Sequence, residues 1–329
     1  MTAKDQVLSA LENSRGQYIS GEQLANSLFV SRNAVWKAIR ALRAEGYQID
    51  GATNRGYCLR SDSGILSAQS VGRHLGDCAG AFRILTQKSA GSTNSALKEA
   101  AAKGEAEGLV LIAEEQTAGR GRMNRGFFSP AKTGLYMSLL LRPKVTAAES
   151  PLITIAAATV VAEAIEALSQ KQVRIKWVND LLIGGKKACG ILTEAAMDVE
   201  SGMLDYAVLG VGVNLVPPEG GFPPELGGIA GAVFGRGECP ADGTSRLAAE
   251  ILKRFLGYYC ELDSRRYLKG YRERSAVIGR DVVIVGSGET VHALAIDEDG
   301  RLVVRQASGT IKALGAGEIS IKPAEGSIL

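Results

Sequence analysis

The chain has 329 residues, 46% of them hydrophobic and 22% charged, with a formal net charge of +3. That length exceeds what one compact core usually holds, and the composition is that of a folded globular protein rather than a disordered one. A nearly neutral chain is no polycation, so any grip on nucleic acid has to come from a local patch.

The first 60 residues read as three short helices and a hairpin. A helix is predicted over 6–13. Ser20 is placed to cap a second helix with Leu24, Ala25 and Leu28 on one face, and Ser31 a third with Val35, Ile39 and Leu42 as its buried stripe. Gly46 ends the third helix. Two short strands, 47–49 and 56–59, flank a turn whose basic tip is Arg55. This is the pattern of a winged helix-turn-helix. Residues 31–60 hold six basic and two acidic residues, and the exposed side of the third helix carries Arg32, Asn33, Trp36, Lys37, Arg40 and Arg43. Phosphates supply most of the affinity of such a patch, while Arg32 and Asn33 stand at the end that reaches base edges. DNA binding is therefore expected, against the alternative of a winged helix used for protein contact.

A polar stretch at 61–64 marks the first predicted boundary. Beyond it strands are predicted at 82–85, 109–114, 135–141, 173–178, 181–183, 188–194 and 206–214, with helices at 93–102, 148–168 and 245–262. The helix at 148–168 is apolar nearly all round, as a buried helix is. Its most apolar run, 152–162, is too short to cross a membrane, and no charged-then-apolar leader opens the chain. Strands come in runs as well as alternating with helices, so an α+β domain with a mixed sheet is expected. From about 276 short strands follow at 281–285, 291–296, 302–305 and 310–314, joined by glycine turns, as in a small β-barrel. The predicted domains are 1–64, 65–275 and 276–329.

The five cysteines are scattered, odd in number and without a C-x-x-C, which fits a reducing cytoplasm. The two histidines, His74 and His292, lie far apart, which argues against a zinc site and against His-based catalysis. No protein metal site is expected, and the chemistry is left to Lys, Arg, Asp and backbone amides.

The most informative stretch is Gly119-Arg120-Gly121-Arg122-Met123-Asn124-Arg125-Gly126, which follows a strand. Glycines let backbone amides approach an anion, and arginines offer bidentate donors for carboxylate or phosphate. The spacing is not that of a P-loop. On composition alone the stretch reads as a phosphate or nucleic-acid loop, or as a solvated basic turn.

Five motifs in order then carry a specific resemblance. Gly119–Arg125 resembles the G-R-G-R-x-x-R loop of biotin–protein ligases. Ser92-Thr93-Asn94 resembles that family's S-T-N motif, with Gln116 ahead of the loop. Residues 176–180 resemble K-W-P-N-D, residues 187–192 resemble K-x-x-G-I-L, and residues 210–214 resemble G-x-G-x-N. The winged helix in front and the barrel behind match the form of the family that also represses transcription. Two departures stand out. Val178 replaces the usual proline, and residues 229–233 lack the Ala-Thr-Ser-Leu that often follows the long Pro/Gly-rich loop.

The resemblance implies a class II synthetase-like ligase domain, an SH3-like barrel, and ATP and Mg²⁺ as cofactors. It implies formation of biotinyl-5′-adenylate and transfer of biotin to a lysine of a biotin carboxyl carrier protein. Lys187, Arg122 and Asp180 are implied as catalytic, Asp180 by orienting or deprotonating the incoming amine. Ser92, Thr93, Asn94, Gln116, Arg120, Gly121, Arg122, Lys187 and Gly190 would bind biotin. Arg122, Arg125, Lys176, Asn179 and Asn214 would bind ATP and the adenylate. Operator DNA, and a homodimer formed on adenylate binding, are the other implied partners, in the cytoplasm and with no membrane. Each residue has a plainer reading: Ser92 and Thr93 could cap the helix at 93–102, Lys187 could be a solvated turn lysine, and Trp177 could be core. Lipoate–protein ligase, and a ligand-sensing transcription factor without catalysis, are the competing functions.

Overall fold

The computed structural model describes residues 2–315 and 320–323, which form two compact units, Met1–Gly80 with Pro240–Glu250, and Ala81–Cys239 with Ile251–Leu329.

In the first unit α1 (Ala3–Asn13) starts earlier than its apolar pattern suggests, because Thr2 and Asp5 close a capping box in front of it. α2 (Gly21–Ser27) has the same box from Ser20 and Gln23, and α3 (Arg32–Ala44) is capped by Ser31. β1 (Ile49–Ala52) and β2 (Gly56–Leu59) pair antiparallel as the wing. Gly56 has a φ of +97°, and a Cβ there would lie 2.1 Å from the carbonyl oxygen of Ile19, so this corner admits only glycine. Val7, Leu11, Leu24, Val35, Ile39, Leu42 and Leu59 make the core. α4 (Ala68–Leu75) is an element that the sequence pattern leaves unmarked, and it packs on α1. Glu12 is buried yet satisfied, since the Arg15 guanidinium donates to both of its oxygens at 3.0 and 2.7 Å. Arg15 also donates to the carbonyl of Ser63, within the stretch read as a polar linker, and Arg73 on α4 donates to Asp242 at 2.5 Å.

The second unit is built on a seven-stranded sheet. Its strands are β3 (Arg83–Ala90), β4 (Leu109–Gln116), β5 (Gly134–Leu141), β6 (Arg174–Lys176), β7 (Asp180–Ile183), β8 (Lys186–Met197) and β9 (Leu204–Asn214). The order is β3-β4-β5-β9-β8-β7-β6. β3 and β4 run parallel and the other pairs antiparallel, so the sheet is mixed as expected. α5 (Thr93–Ala102) crosses from β3 to β4 and packs on β5 and β9. α6 (Ser150–Ser169) is buried along most of its length; with the turn before it, it is long and apolar enough to cross a membrane, but it lies in a protein core. α7 (Gly243–Tyr259) starts within 240–250 and runs on into the second unit, where α8 (Tyr267–Glu273) packs on α6.

β10 (Asp281–Val285), β11 (Thr290–Ile296), β12 (Leu302–Arg305), β13 (Ile311–Leu314) and β14 (Ser320–Pro323) make a five-stranded antiparallel sheet in the order β13-β12-β11-β10-β14. The hairpin from β11 to β12 meets the core of the same unit. The indole N–H of Trp177 donates to the carbonyl of Gly300 at 3.1 Å, and a Cβ at Gly300 would strike Ile155 at 2.0 Å. Trp177 is thus buried core, the plainer of its two readings.

Candidate functional site

A small cleft lies between the start of α5 and the middle of β8 and β9, lined by Ser92, Thr93, Asn94, Gln116, Gly190 and Gly210. These groups are neutral and largely engaged with one another. Thr93 donates through its backbone N–H and its hydroxyl to Gln116 Oε1, at 2.9 and 3.1 Å, and Gln116 Nε2 donates to Ser129 Oγ. Asn94 Nδ2 donates to the Leu192 carbonyl and to Glu194 Oε2, at 3.2 and 3.0 Å. Ser138 Oγ lies 2.7 Å from Thr93 Oγ1 and 2.6 Å from Asn94 Oδ1; its single proton serves one of them at a time. Ser92 does cap α5, accepting from the Ser95 N–H at 3.4 Å. That weak cap leaves its hydroxyl proton available to a ligand, so capping and binding are compatible.

The glycine-arginine stretch forms a closed hairpin between β4 and β5. Arg120 and Gly126 pair as a bridge, the Gly121 N–H donates to the Arg125 carbonyl at 2.7 Å, and Phe127 N–H to the Gly119 carbonyl at 2.9 Å. The loop turns at Met123, whose φ is +54°.

Below it is a cavity of about 640 Å³, within the range of small-molecule sites. It brings together Arg120, Arg122, Arg125, Lys176, Asn179, Asp180, Lys187 and Asn214, and shares Arg120, Phe127, Gly190 and Leu192 with the neutral cleft. Lys187 Nζ and Asp180 Oδ1 form an ion pair at 2.7 Å, and Arg122 Nη1 donates to Asn179 Oδ1 at 3.2 Å. Asn179 in turn donates to the Ile191 carbonyl at 2.8 Å, and Asn214 to that of Gly231 at 3.0 Å. Burial lowers the pKa of Lys176 and of Arg122, while Asp180 opposes the shift in both. The cluster is cationic and partly desolvated, which favours an anionic occupant. The Trp177–Val178 peptide is cis, and Tyr271 donates its hydroxyl to the Val178 carbonyl at 2.9 Å.

Phe127 escaped the sequence reading. Its ring lies on Gly212, where a Cβ would come within 2.5 Å of it, and close to Gly190; Lys187 Nζ stands 6.0 Å from the ring centroid. Gly190 and Gly212 face each other across β8 and β9, and Gly210 pairs with Leu192. Glycines inside buried strands signal a close approach, and that signal was present in the sequence. Glu194 was missed too, since nothing local ties it to Asn94.

Gly210 supports a direct test. A Cβ there would lie 2.1 Å from Asn94 Oδ1, and Asn94 is held at both ends of its amide. Gly210→Ala is expected to cost about 1–3 kcal/mol of stability, because the added Cβ must displace the Asn94 amide. Denaturant unfolding checks this; a variant as stable as wild type would mean that Asn94 is free to move.

For magnesium the residues offer little. Asp180 is the one carboxylate lining the cavity among the described residues, and it is already paired; no cluster of three His, Cys, Asp or Glu occurs among those residues. A protein-held magnesium site does not fit this donor set.

In the first unit Arg32, Asn33, Trp36, Lys37 and Arg40 are exposed along α3, and the Arg40 guanidinium lies 4.7 Å from the centre of the Trp36 ring. Two predicted contacts are held by their own domain. Arg43 donates twice to the Ile49 carbonyl, at 2.9 and 2.7 Å, and Arg55 stacks over Tyr18 at 4.2 Å. The geometry of each is thus set by a neighbour within the unit.

A mixed-sheet α+β unit with a cationic, glycine-lined cavity, preceded by a winged helix, defines a class of protein that joins a helix-turn-helix module to a binding unit for an anionic small molecule. Family models agree element by element: an HTH domain matches residues 4–58, the biotin/lipoate A/B protein ligase family residues 87–214, and the biotin protein ligase C terminal domain residues 277–322. The bifunctional ligase/repressor BirA of Bacillus spizizenii is 37% identical over 229 residues, 70% of each chain. That of Escherichia coli is 29% identical over 322 residues, 94% of this chain and 95% of its own. The biotin protein ligase from Aquifex aeolicus, solved in complex with biotin and ATP, superposes with a TM-score of 0.61 at 25% identity, covering 74% of this chain and 99% of its own. The chain belongs to the biotin protein ligase family, in the form that carries an N-terminal helix-turn-helix domain.

Proposed function

We propose that this chain is an ATP-dependent biotin–protein ligase that also represses transcription in response to biotin. The observation that carries the reading is the junction of a neutral hydrogen-bonding cleft with a cationic cavity, sharing Arg120, Phe127, Gly190 and Leu192. Biotin has the matching polarity: a neutral ureido ring at one end and a carboxylate at the other. Ser92, Thr93, Asn94 and Gln116 take the ring, and Arg120, Gly121, Gly190 and Lys187 the chain and carboxylate.

The first step joins two anions. A carboxylate oxygen attacks the α-phosphorus of ATP, the bond to the bridging oxygen breaks, and pyrophosphate leaves. Arg122, Arg125 and Lys176 offset the repulsion and hold the partners in line, while Asn179 and Asn214 hold the nucleotide's side of the cavity. Magnesium, where it accompanies the nucleotide, would supply charge neutralisation at the phosphates and would be held by them rather than by these residues. In the second step a carrier lysine attacks the acyl carbon, an amide forms and AMP departs. Lys187 and Asp180 hold each other at 2.7 Å, so a substrate carboxylate that takes Lys187 releases Asp180 to orient the amine and accept its proton. All five cysteines are free, which suits a cytoplasmic enzyme.

Incubation with a biotin carboxyl carrier protein, ATP and biotin should add one biotinyl group to the carrier by mass spectrometry. No addition, or addition from lipoate in preference to biotin, overturns the reading.

Repression adds a further requirement. One winged helix with a few surplus charges binds DNA weakly, with non-specific Kd values of roughly 10⁻⁴–10⁻⁶ M. Tight binding then calls for two copies on an inverted repeat, hence a homodimer built when biotinyl-adenylate neutralises the glycine-arginine loop. Sedimentation should move from monomer to dimer on adding biotin and ATP, with operator affinity rising in step. Operator affinity indifferent to the adenylate sinks the coupling and leaves the ligase untouched.

A further inference from the structure

Helix α2 ends in a Schellman turn. The Val30 N–H donates to the Ala25 carbonyl at 3.0 Å, and the Phe29 N–H to that of Asn26 at 3.4 Å. The residue at the left-handed position of this turn is Phe29, with a φ of +53°. Glycine is the usual occupant, because a Cβ in this conformation crowds the following carbonyl. Phenylalanine accepts that steric cost and recovers none of it by burial, since the residue is 95% exposed. An apolar ring held in water on a strained backbone stabilises nothing in its own chain. Such a residue points to a partner.

The surface beside the ring says what kind. Two positions on, Ser31 caps α3, whose exposed side carries Arg32, Asn33, Lys37 and Arg40 and no acidic residue. A second aromatic, Trp36, is 46% exposed there with Arg40 over it. This surface complements a polyanion; against a second copy of itself it would set cations on cations. We propose that Phe29 is a DNA-contacting residue, seated against the apolar C–H surface of a duplex at the entry to α3. The inference rests on the reading of this unit as an operator-binding domain. A duplex offers two such surfaces to an element at the groove, the thymine 5-methyl group and the deoxyribose.

The test uses the full chain with biotin and ATP, and a duplex that the wild-type chain selects from a randomised pool. Phe29→Gly is expected to melt no lower than wild type, to biotinylate the carrier at the wild-type rate, and to bind the selected duplex about tenfold more weakly. Because no charge changes, the slope of affinity against salt should stay the same, which separates a lost apolar contact from a disturbed domain. Phe29→Leu should recover part of the loss. Replacing thymines in the protected region by uracil removes only methyl groups. Weakening of wild type but not of Phe29→Gly assigns the ring to a methyl; equal binding by wild type assigns it to the sugar; both uphold the contact. Unchanged duplex affinity in Phe29→Gly overturns the proposal. So does a variant that sediments as a smaller species than wild type at the same concentration, which would place the ring between copies. A wild-type chain that selects no duplex removes the repressor reading, and this inference with it.

Discussion

Lys187→Ala should lose about a hundredfold or more in the rate of adenylation while folding normally. The lysine is half-buried at the start of β8. Its backbone holds the neighbouring loop, since the Lys187 N–H donates to the Ile229 carbonyl at 2.8 Å and its own carbonyl accepts from the Gly231 N–H at 2.8 Å. An alanine keeps both bonds. What goes is the ammonium, the group nearest Asp180 and the one able to meet a carboxylate entering from the neutral cleft. Two effects then add. The reacting carboxylate loses its counter-charge, and Asp180 stays without its ion-pair partner beside the path of a second anion. Asp180→Asn in the Lys187→Ala background should therefore recover part of the first step, though not transfer to the carrier. Pyrophosphate release measures the first step alone; a near-wild-type rate in Lys187→Ala would return the residue to the plain turn lysine its local sequence suggests.

How far the site was legible depended on whether its residues were near one another in sequence. The glycine-arginine loop declared itself because three arginines and three glycines occur within eight residues. The strands were legible as apolar runs, and the element order already implied a mixed sheet. Phe127 was not legible, because its position depends on register. Gly190 faces Gly212 across β8 and β9, and that pairing is a tertiary fact. Glu194 is a hundred residues from the Asn94 amide it accepts from, with no pattern linking them. Arg43 looked like its neighbours on α3, yet the hairpin folds back so that the Ile49 carbonyl captures it. α4 was unreadable for a further reason. Its eight residues are too few to establish a period, and the ion pair from Arg73 to Asp242 that fixes it joins residues 169 positions apart. Phe29 is the converse case. Its oddity is one of conformation, which a sequence alone cannot display.

Arg122→Gly should release biotinyl-adenylate before transfer, about tenfold to a hundredfold faster than wild type. Arg122 is half-buried at the turn of the loop, and its guanidinium donates to Asn179 Oδ1 at 3.2 Å. Burial alone would disfavour its charge, and Asp180 nearby offsets part of that cost. A half-buried cation poised over a cavity is most useful to a ligand that brings its own negative charge, and the acyl phosphate of the adenylate is such a ligand. A hydrogen bond to a charged group contributes about 1.5–3 kcal/mol, which corresponds to the loss expected here. Lys187 and Lys176 remain in the variant, so the first step should slow far less than retention does. The predicted outcome is an enzyme that still makes the mixed anhydride but does not keep it. The escaped adenylate would then acylate lysines on bystander proteins, in proportion to their exposure. Two measurements decide the matter: the off-rate of preformed biotinyl-adenylate, and biotin incorporation into a protein that is no substrate of the wild type. An unchanged off-rate removes Arg122 from retention. An unchanged off-rate together with a collapsed first step confines it to the attack on the α-phosphorus, the role it shares with Arg125 and Lys176.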